Sequence, residues 1–523
     1  LYKWPVANLT PQRLVLALGL AGGLLLVFVT PPFQVPDEPA HFLRIYQVAT
    51  VAAAVRRADG VLGFEMPESL PRLADLCVAG LVYHPERHLP PGTLGAAWRL
   101  PLAPERHVWL PATKLSQHSP FPYLAAAAAV ALGRLLALPP LALLYLARLG
   151  NLAAALAIAW AAVRIAPVQR WLLALLALTP MAMFLRSSAS ADALTNALAL
   201  LLVACLLALA LRSAPRHAGA DRAAALSGAR PGVGAARETT GAGQESAPRP
   251  AGGDRGVAGA PIPGGRVAWL LVTAFLLAAA KEAYCLLALL VFLVPPEPPP
   301  ASAGAPWRHA ARRRAAFLWT GGLAALIVGA GLSWWVAHRI ATLPAPFAGV
   351  EPITQLRGVL AAPLHFAGLA AADYSQNAEI YAVGFVGNFG WLDTQLPFPL
   401  VILWGCLLLA AAVSASDPAL ALAAWQRWWA AAVLAASLLA ISLALYLVWT
   451  PLGADFVQGM QGRYLLPLAP LAALLLYRRR APGRLGAMAV SWLPGAGAAA
   501  CAVLSVGFTV LTLLLIWFRY YGA

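Results

Sequence analysis

Long apolar runs broken by short polar stretches set the pattern of the chain, beginning with "LVLALGLAGGLLLVFV" and ending with "AVLSVGFTVLTLLLIWF". A segment in lipid must satisfy its own backbone hydrogen bonds, and a helix does so locally. Runs of about 20 residues therefore predict spanning helices, and the roughly ten-residue alternation of a membrane barrel is missing from the sequence. Lys3 and Arg13 place the N-terminus in the cytoplasm, so the first helix, about 14–29, leads outward. A large external loop over 31–119 follows, in which "EPAHFLRIYQVATVAAAVRRA" has helical periodicity with one charged face. That pattern predicts a helix lying along the membrane surface.

Segment 120–138 is assigned to the interface, because a crossing there would turn Arg164 and Arg170 outward. Spans are expected at about 141–163, 171–186 and 193–211, leaving Arg186 to Asp192 as a short external turn. Residues 213–265 are rich in Gly, Ala, Pro and Arg without periodicity and read as a disordered cytoplasmic linker. The next apolar run carries Lys281 and Glu282 at its middle. Burying both in one span costs roughly 2.5–3.5 kcal/mol each, so a hairpin with the pair at its external tip is expected. Further spans are expected at about 316–337, 398–414, 430–449, 464–477 and 497–517, with a second external loop over 338–397 and the C-terminus outside. The fold class is thus an all-α polytopic membrane protein of about eleven spans: an N-terminal membrane module (1–212), the linker (213–265) and a C-terminal membrane module (266–523).

Composition supports this class, with 61% hydrophobic and 11% charged residues against about 25% charged in soluble domains. The net charge of +16 resides largely in Arg residues of short loops and tails, which positive-inside topology explains better than nucleic-acid binding. The five cysteines have neither metal-ligand nor disulfide spacing and read as small core residues. The first apolar run has no A-x-A-type cleavage site and reads as a retained helix.

Topology gathers the unusual polar residues Asp37, Glu38, His41, His118, Asp192, Lys281, Asp393 and Arg463 on the external side, which points to one site there. Adjacent carboxylates Asp37 and Glu38 suit a general base or hard-cation ligands, leaving a divalent metal ion open. Asp37 equally suits a cap for a helix beginning at Glu38 with Pro39 in its first turn. His41, Arg44 and His118 are candidates for substrate contacts nearby. Lys281 and Arg463 suit a lipid-borne phosphate, or snorkel to headgroups. Trp391, in the segment Phe389 to Asp393, either stacks on a sugar or anchors its loop in the interface.

The motifs "PPFQVPDEPAHFLRIYQ", "LARLGN", "TPMAMFLRSSASADA", "KEAYCLLALL", "FVGNFGWLDTQLP" and "QGRYLLPLAP" together resemble a bacterial family of predicted membrane proteins, domain of unknown function 2142. That family resembles in turn the GT-C superfamily of membrane glycosyltransferases. The likeness lies in an acidic motif opening the first external loop, "HSPFPY", an Asp after the third span, a Lys at a short-helix hairpin and the late R-Y-x-x-P element with Tyr464. It implies a polyprenyl-phosphate sugar donor and a glycan, lipid or protein acceptor of the cell envelope, on the outer face of the bacterial inner membrane. It implies Asp37 as base beside Glu38, Asp192 as second acid, and Lys281 and Arg463 on phosphate. "PDEPAHF" departs from the plain acidic pair of mannosyl- and aminoarabinose-transferring relatives, so donor sugar and acceptor do not carry over. The alternatives are a transporter or flippase of lipid-linked sugars and a glycan polymerase or ligase. Transporters usually carry internal repeats, and no convincing one is found in the sequence.

Overall fold

The computed structural model describes residues 9–52, 55–56, 61–112, 118–210, 264–294, 305–340, 349–414, 422–477 and 496–522. Lys3, nearly all of the linker expected over 213–265 and the whole basic segment after Tyr477 lie outside the described residues. Among the described residues, six helices are long and apolar enough to cross a membrane: Pro11–Val29, Pro140–Ile165, Asp192–Ala210, Arg312–Trp335, Ala424–Val448 and Ala498–Tyr521. Each answers to an expected span.

The other five expected spans are shorter or broken. Residues 171–186 form two helices, Arg170–Ala177 and Pro180–Arg186, because Pro180 cannot continue the first. The broken backbone is served by side chains: Arg186 donates to the Ala177 carbonyl, and the Trp404 indole donates to the Thr179 hydroxyl at 3.3 Å. Helix Gly264–Ala280 ends at Lys281 and the chain returns as the 3-10 helix Glu282–Leu293. Gly329 of the long helix Ala305–Ile340 lies against Ala278, while Ser333 of that helix donates to Glu282 at 2.6 Å. The hairpin therefore turns at Lys281. Helix Phe398–Ser414 is a third short apolar segment, and Gly462–Leu468 with Ala469–Leu476 makes the fourth.

The segment 31–119 departs from an all-helical reading. It contains a three-stranded antiparallel sheet, in which Leu62–Pro67 pairs with Val55–Arg56 on one side and His107–Pro111 on the other. Phe64 and Met66 are buried while Glu65 is exposed, a period-two pattern that belongs to a strand. The amphipathic helix following Asp37 is real but shorter than expected, Glu38–Thr50, and its orientation is reversed. Glu38, His41 and Arg44 face into the protein rather than toward solvent or headgroups.

Segment 120–138 forms a turn and a 12-residue helix, Leu124–Leu135, about 18 Å long and short of the roughly 30 Å hydrocarbon core. It packs antiparallel to the first half of Pro140–Ile165: Gly150 meets Ala125 and Ala129, and Gly133 meets Leu143 and Leu146. It does not cross. The segment expected as a second external loop, 338–397, holds helices Pro352–Ala361, Pro363–Gln376 and Ala378–Val386 and a two-stranded hairpin, Asn388–Phe389 with Thr394–Gln395. The C-terminal helix ends on the same side as 31–119, where the Leu89 amide donates to the Tyr520 carbonyl at 2.8 Å and Arg519 donates to the Arg87 and Leu81 carbonyls.

One buried ion pair joins these elements. Arg148, on Pro140–Ile165, grips Glu38 through Nε at 2.8 Å and Nη2 at 2.6 Å. Its remaining donors reach the Val27, Thr30 and Pro31 carbonyls at 2.9, 2.7 and 2.9 Å. The Ala189 amide donates to the same Glu38 carboxylate at 2.9 Å. Both side chains are fully buried. Breaking such a pair leaves a charge without water or partner, so Arg148→Met is expected to cost about 3–5 kcal/mol of stability. Thermal unfolding of the detergent-solubilised protein checks this, and an unchanged midpoint would contradict the ion pair's role.

Candidate functional site

Four segments distant in sequence bring two carboxylates and two cations together at the end of the bundle that carries 31–119. Asp37 immediately precedes helix Glu38–Thr50, Asp192 begins Asp192–Ala210, Lys281 is the hairpin turn, and Arg463 lies in the 3-10 helix Gly462–Leu468. Arg463 Nη2 donates to Asp37 Oδ2 at 2.8 Å, and its Nη1 lies 3.7 Å from Asp192 Oδ2. Lys281 Nζ pairs with the other oxygen of Asp192. The result is an alternating row, Asp37, Arg463, Asp192, Lys281. Gln461 accepts from Arg463 Nε at 2.6 Å, and both cations lie near the Tyr464 ring, 5.3 Å for Arg463 and 5.7 Å for Lys281.

The backbone reasons for this placement are local. Asp37 has φ of 62°, the left-handed region that Asp and Asn tolerate best. Helix Glu38–Thr50 starts where expected with Pro39 in its first turn, but the Asp37 carboxylate does not cap it and goes to Arg463 instead. Gly462 packs against Ala378–Val386 so closely that a Cβ there would collide with the Tyr381 carbonyl oxygen. Only glycine permits that approach, which brings Arg463 to the carboxylates. Both cations stand at the start of 3-10 segments, and such segments rarely exceed three or four residues.

Exposure separates the members of the row. Asp192, Lys281 and Arg463 are buried, whereas the Asp37 side chain is 58% exposed. Beside Asp37, His41 Nδ1 is 2.7 Å from the Tyr123 hydroxyl, and the His41 and His118 rings stack with centroids 6.0 Å apart. Arg44 donates to the His118 carbonyl at 3.1 Å and to Gln47 at 2.6 Å. Burial pushes the His41 imidazole down to about 4, against the pull of Asp37. His118 is held well below its ordinary value by burial and by the Lys281 charge. Enclosure raises the Asp37 carboxyl, but Arg463 and then His41 outweigh it, and the net direction is down. At neutral pH the site therefore holds an anionic Asp37 beside two neutral imidazoles.

The other expected residues fall elsewhere. Glu38 points to Arg148 and the Ala189 amide, with no exposed surface. Trp391 donates its indole N–H to the Phe33 carbonyl at 3.1 Å, bracing the segment that leads to Asp37. Asp393 pairs with Arg519 at 2.8 Å and accepts from Thr394 at 3.1 Å, a buried contact that fastens the hairpin to the C-terminal helix. Among the described residues, no three His, Cys, Asp or Glu side chains gather to hold a metal ion. With Glu38 engaged by Arg148, the donor set at Asp37 does not fit one.

Sequence reasoning passed over Arg148, although a lone Arg inside "LALLYLARLGNLAAAL" is the signal of a functional or structural charge in a span. It also passed over Tyr123 and over Asn151, which donates to the Ser188 and Ser190 carbonyls at 2.9 and 3.0 Å and holds the turn before Asp192.

Residues 20–228 and 258–472 match the family model described as Predicted membrane protein (DUF2142). The match spans more than half of the chain, and the protein belongs to this family. No curated protein and no solved structure matches it.

The depressed His41 pKa sets a pH dependence of stability. Between pH 6.5 and about 4 the unfolded chain binds a proton at this position and the folded chain does not, so stability falls as pH falls through that window, by up to about 3 kcal/mol. The His41→Gln variant is expected to lose less stability than the wild type between pH 6.5 and 4 in thermal unfolding. Parallel curves for the two proteins would exclude His41 as the titrating group.

Proposed function

We propose that the protein is a membrane glycosyltransferase of GT-C type, with about eleven membrane segments counting the short and broken ones. It moves a sugar from a polyprenyl-phosphate donor to a cell-envelope glycan, lipid or protein acceptor at the outer face of the bacterial inner membrane. The observation that carries this reading is the row Asp37, Arg463, Asp192, Lys281, in which one exposed carboxylate is joined to two buried cations at the end of the membrane helices. Buried, preorganised cations stabilise charge growing on a leaving phosphate far better than solvated ones.

In this reading the donor phosphate lies against Arg463 and Lys281, with its lipid tail in the bilayer. Asp37 accepts the proton of the acceptor hydroxyl. The acceptor oxygen bonds to the anomeric carbon, the bond from that carbon to the phosphate oxygen breaks, and polyprenyl phosphate leaves with the electron pair, inverting the centre. Arg463 couples the two halves of the reaction. While it donates to Asp37 it keeps that carboxylate a weak base. A phosphate that draws the guanidinium away restores Asp37 basicity when the proton must be taken. Asp192 positions both cations, and Glu38, through Arg148, positions Asp37.

Purified protein assayed with labelled polyprenyl-phosphate sugars tests this. Asp37→Asn is expected to lower kcat by about 10²–10⁴-fold with little change in donor KM, whereas Arg463→Lys and Lys281→Met are expected to raise donor KM as well as lower kcat. Full transfer by Asp37→Asn would remove it as base. Solute or lipid translocation by proteoliposomes with no covalent product would replace the enzyme reading by the transporter one.

A further inference from the structure

A partly open groove of about 540 Å³ lies at the end of helix Pro11–Val29, between it, the start of Pro140–Ile165 and the short helix Thr93–Arg99 of the segment 31–119. Phe28, Tyr145 and Leu149 line it from the membrane helices, and Leu94, Gly95 and Trp98 from the short helix. Apart from the Tyr145 hydroxyl and the Trp98 indole N–H, no lining side chain carries a polar atom. Trp98 and Phe28 are 56% and 55% exposed, and a Cβ on Gly95 would meet nothing. The volume falls within the range of sites that enclose a small ligand.

The groove continues a surface that faces lipid. Leu16, Leu20 and Leu24 are exposed and recur every four residues on helix Pro11–Val29, so they form one stripe that runs up to Phe28. From Leu16 to Phe28 the stripe is about 18 Å long, close to the roughly 15 Å that one leaflet contributes to the hydrocarbon core. Gly23 packs on Leu152, and the Phe28 and Tyr145 rings lie 5.4 Å apart. The first turn of Pro140–Ile165 therefore stands beyond the end of Pro11–Val29, and the short helix packs at that step. Its seven residues are too few to hold a helix by themselves. Thr93 and Ala97 are buried, while Leu94 and Trp98, one turn apart, face the groove. A hydrocarbon chain there completes the packing of the short helix. Arg99, exposed and next to Trp98 in the chain, offers a cation for a headgroup phosphate.

We infer that this groove holds one acyl chain of a phospholipid from the leaflet next to the segment 31–119. The site is distinct from the row of Asp37, Arg463, Asp192 and Lys281 and does not depend on the proposed reaction. Ala142 and Leu149 line the groove nine and two positions before Asn151, which holds the turn ahead of Asp192. At 3.6 residues per turn both point nearly opposite to Asn151. Helix Pro140–Ile165 thus stands between the phospholipid and the row. The bound chain seats Thr93–Arg99, and with it part of the segment 31–119, on the membrane helices.

Native mass spectrometry of the full-length protein released from detergent and titrated with phosphatidylglycerol reads the site without any assay of catalysis. A first phospholipid is expected to bind saturably. Gly95→Phe and Ala142→Phe fill the groove and are expected to weaken this binding about tenfold or more, since excluding even two methylene groups has that effect. Gly405→Phe is the control. Gly405 is exposed on helix Phe398–Ser414 and a Cβ there also meets nothing, so binding is expected to be unchanged. Binding that does not saturate, that is undiminished in Gly95→Phe or that falls equally in Gly405→Phe would overturn the proposal. Displacement of the phospholipid by an equal concentration of polyprenyl phosphate would overturn it too, giving the groove to that lipid instead. If the filling variants do not fold, quenching of Trp98 by brominated phosphatidylglycerol decides, read as the difference between wild type and Trp98→Phe. Saturation at one lipid per protein supports the site, and quenching that rises without a plateau overturns it.

Discussion

The buried pair of Glu38 and Arg148 is the constraint on which the rest of the site depends. Arg148 uses all five of its donors, two on Glu38 and three on the carbonyls where the first helix ends and the chain turns. Glu38 passes the connection on to the Ala189 amide, just ahead of Asp192. A guanidinium with every donor engaged is rigid, and in a dry environment each of those bonds is costly to break. One residue therefore fixes Asp37, a neighbour of Glu38 in the chain, and the turn that starts the Asp192 helix. The two carboxylates of the row share a single anchor.

That anchor also explains why helix Glu38–Thr50 turns its charged face inward. Lying on a membrane, the helix would direct Glu38, His41 and Arg44 to water. Packed against Leu124–Leu135 and Pro140–Ile165, it finds Arg148, Tyr123 and the His118 carbonyl instead. Satisfying these groups internally leaves Asp37 as the member of the cluster that meets solvent. That carboxylate has one flank in water and the other on Arg463.

The broken elements serve the same end. Helices break after Ala177 and at Lys281, and the segment that opens at Gly462 begins as a 3-10 rather than an α-helix. Each leaves backbone groups that a bilayer would penalise, and each is answered by a polar side chain: Arg186 and Trp404 at the first, Ser119 donating to the Ala279 carbonyl at the second, Tyr284 donating to the Tyr464 carbonyl at the third. Irregular backbone is thus answered by polar side chains, most of them from distant parts of the chain. At the second and third breaks a cation stands at the turn.

Hydropathy by itself determined that the chain is a helical membrane protein, where its six long helices lie, and that Lys281 marks a hairpin, because apolar length and the cost of a charge in lipid are local properties. It also singled out Asp37, Asp192, Lys281 and Arg463, since ionisable groups at membrane edges are rare enough to stand out. Tertiary structure alone decided which of the polar residues meet. Glu38 and Asp37 are neighbours in the chain with different partners, Arg148 and Arg463, lying 110 and 426 residues away. Asp393 and Trp391, also expected at the site, meet Arg519 and the Phe33 carbonyl. The small sheet was legible in the alternation of Phe64, Glu65 and Met66, but such short strands gain stability only through the partners they pair with. A charge's position along the chain reports where it is costly, whereas its role depends on the charge that folding sets beside it.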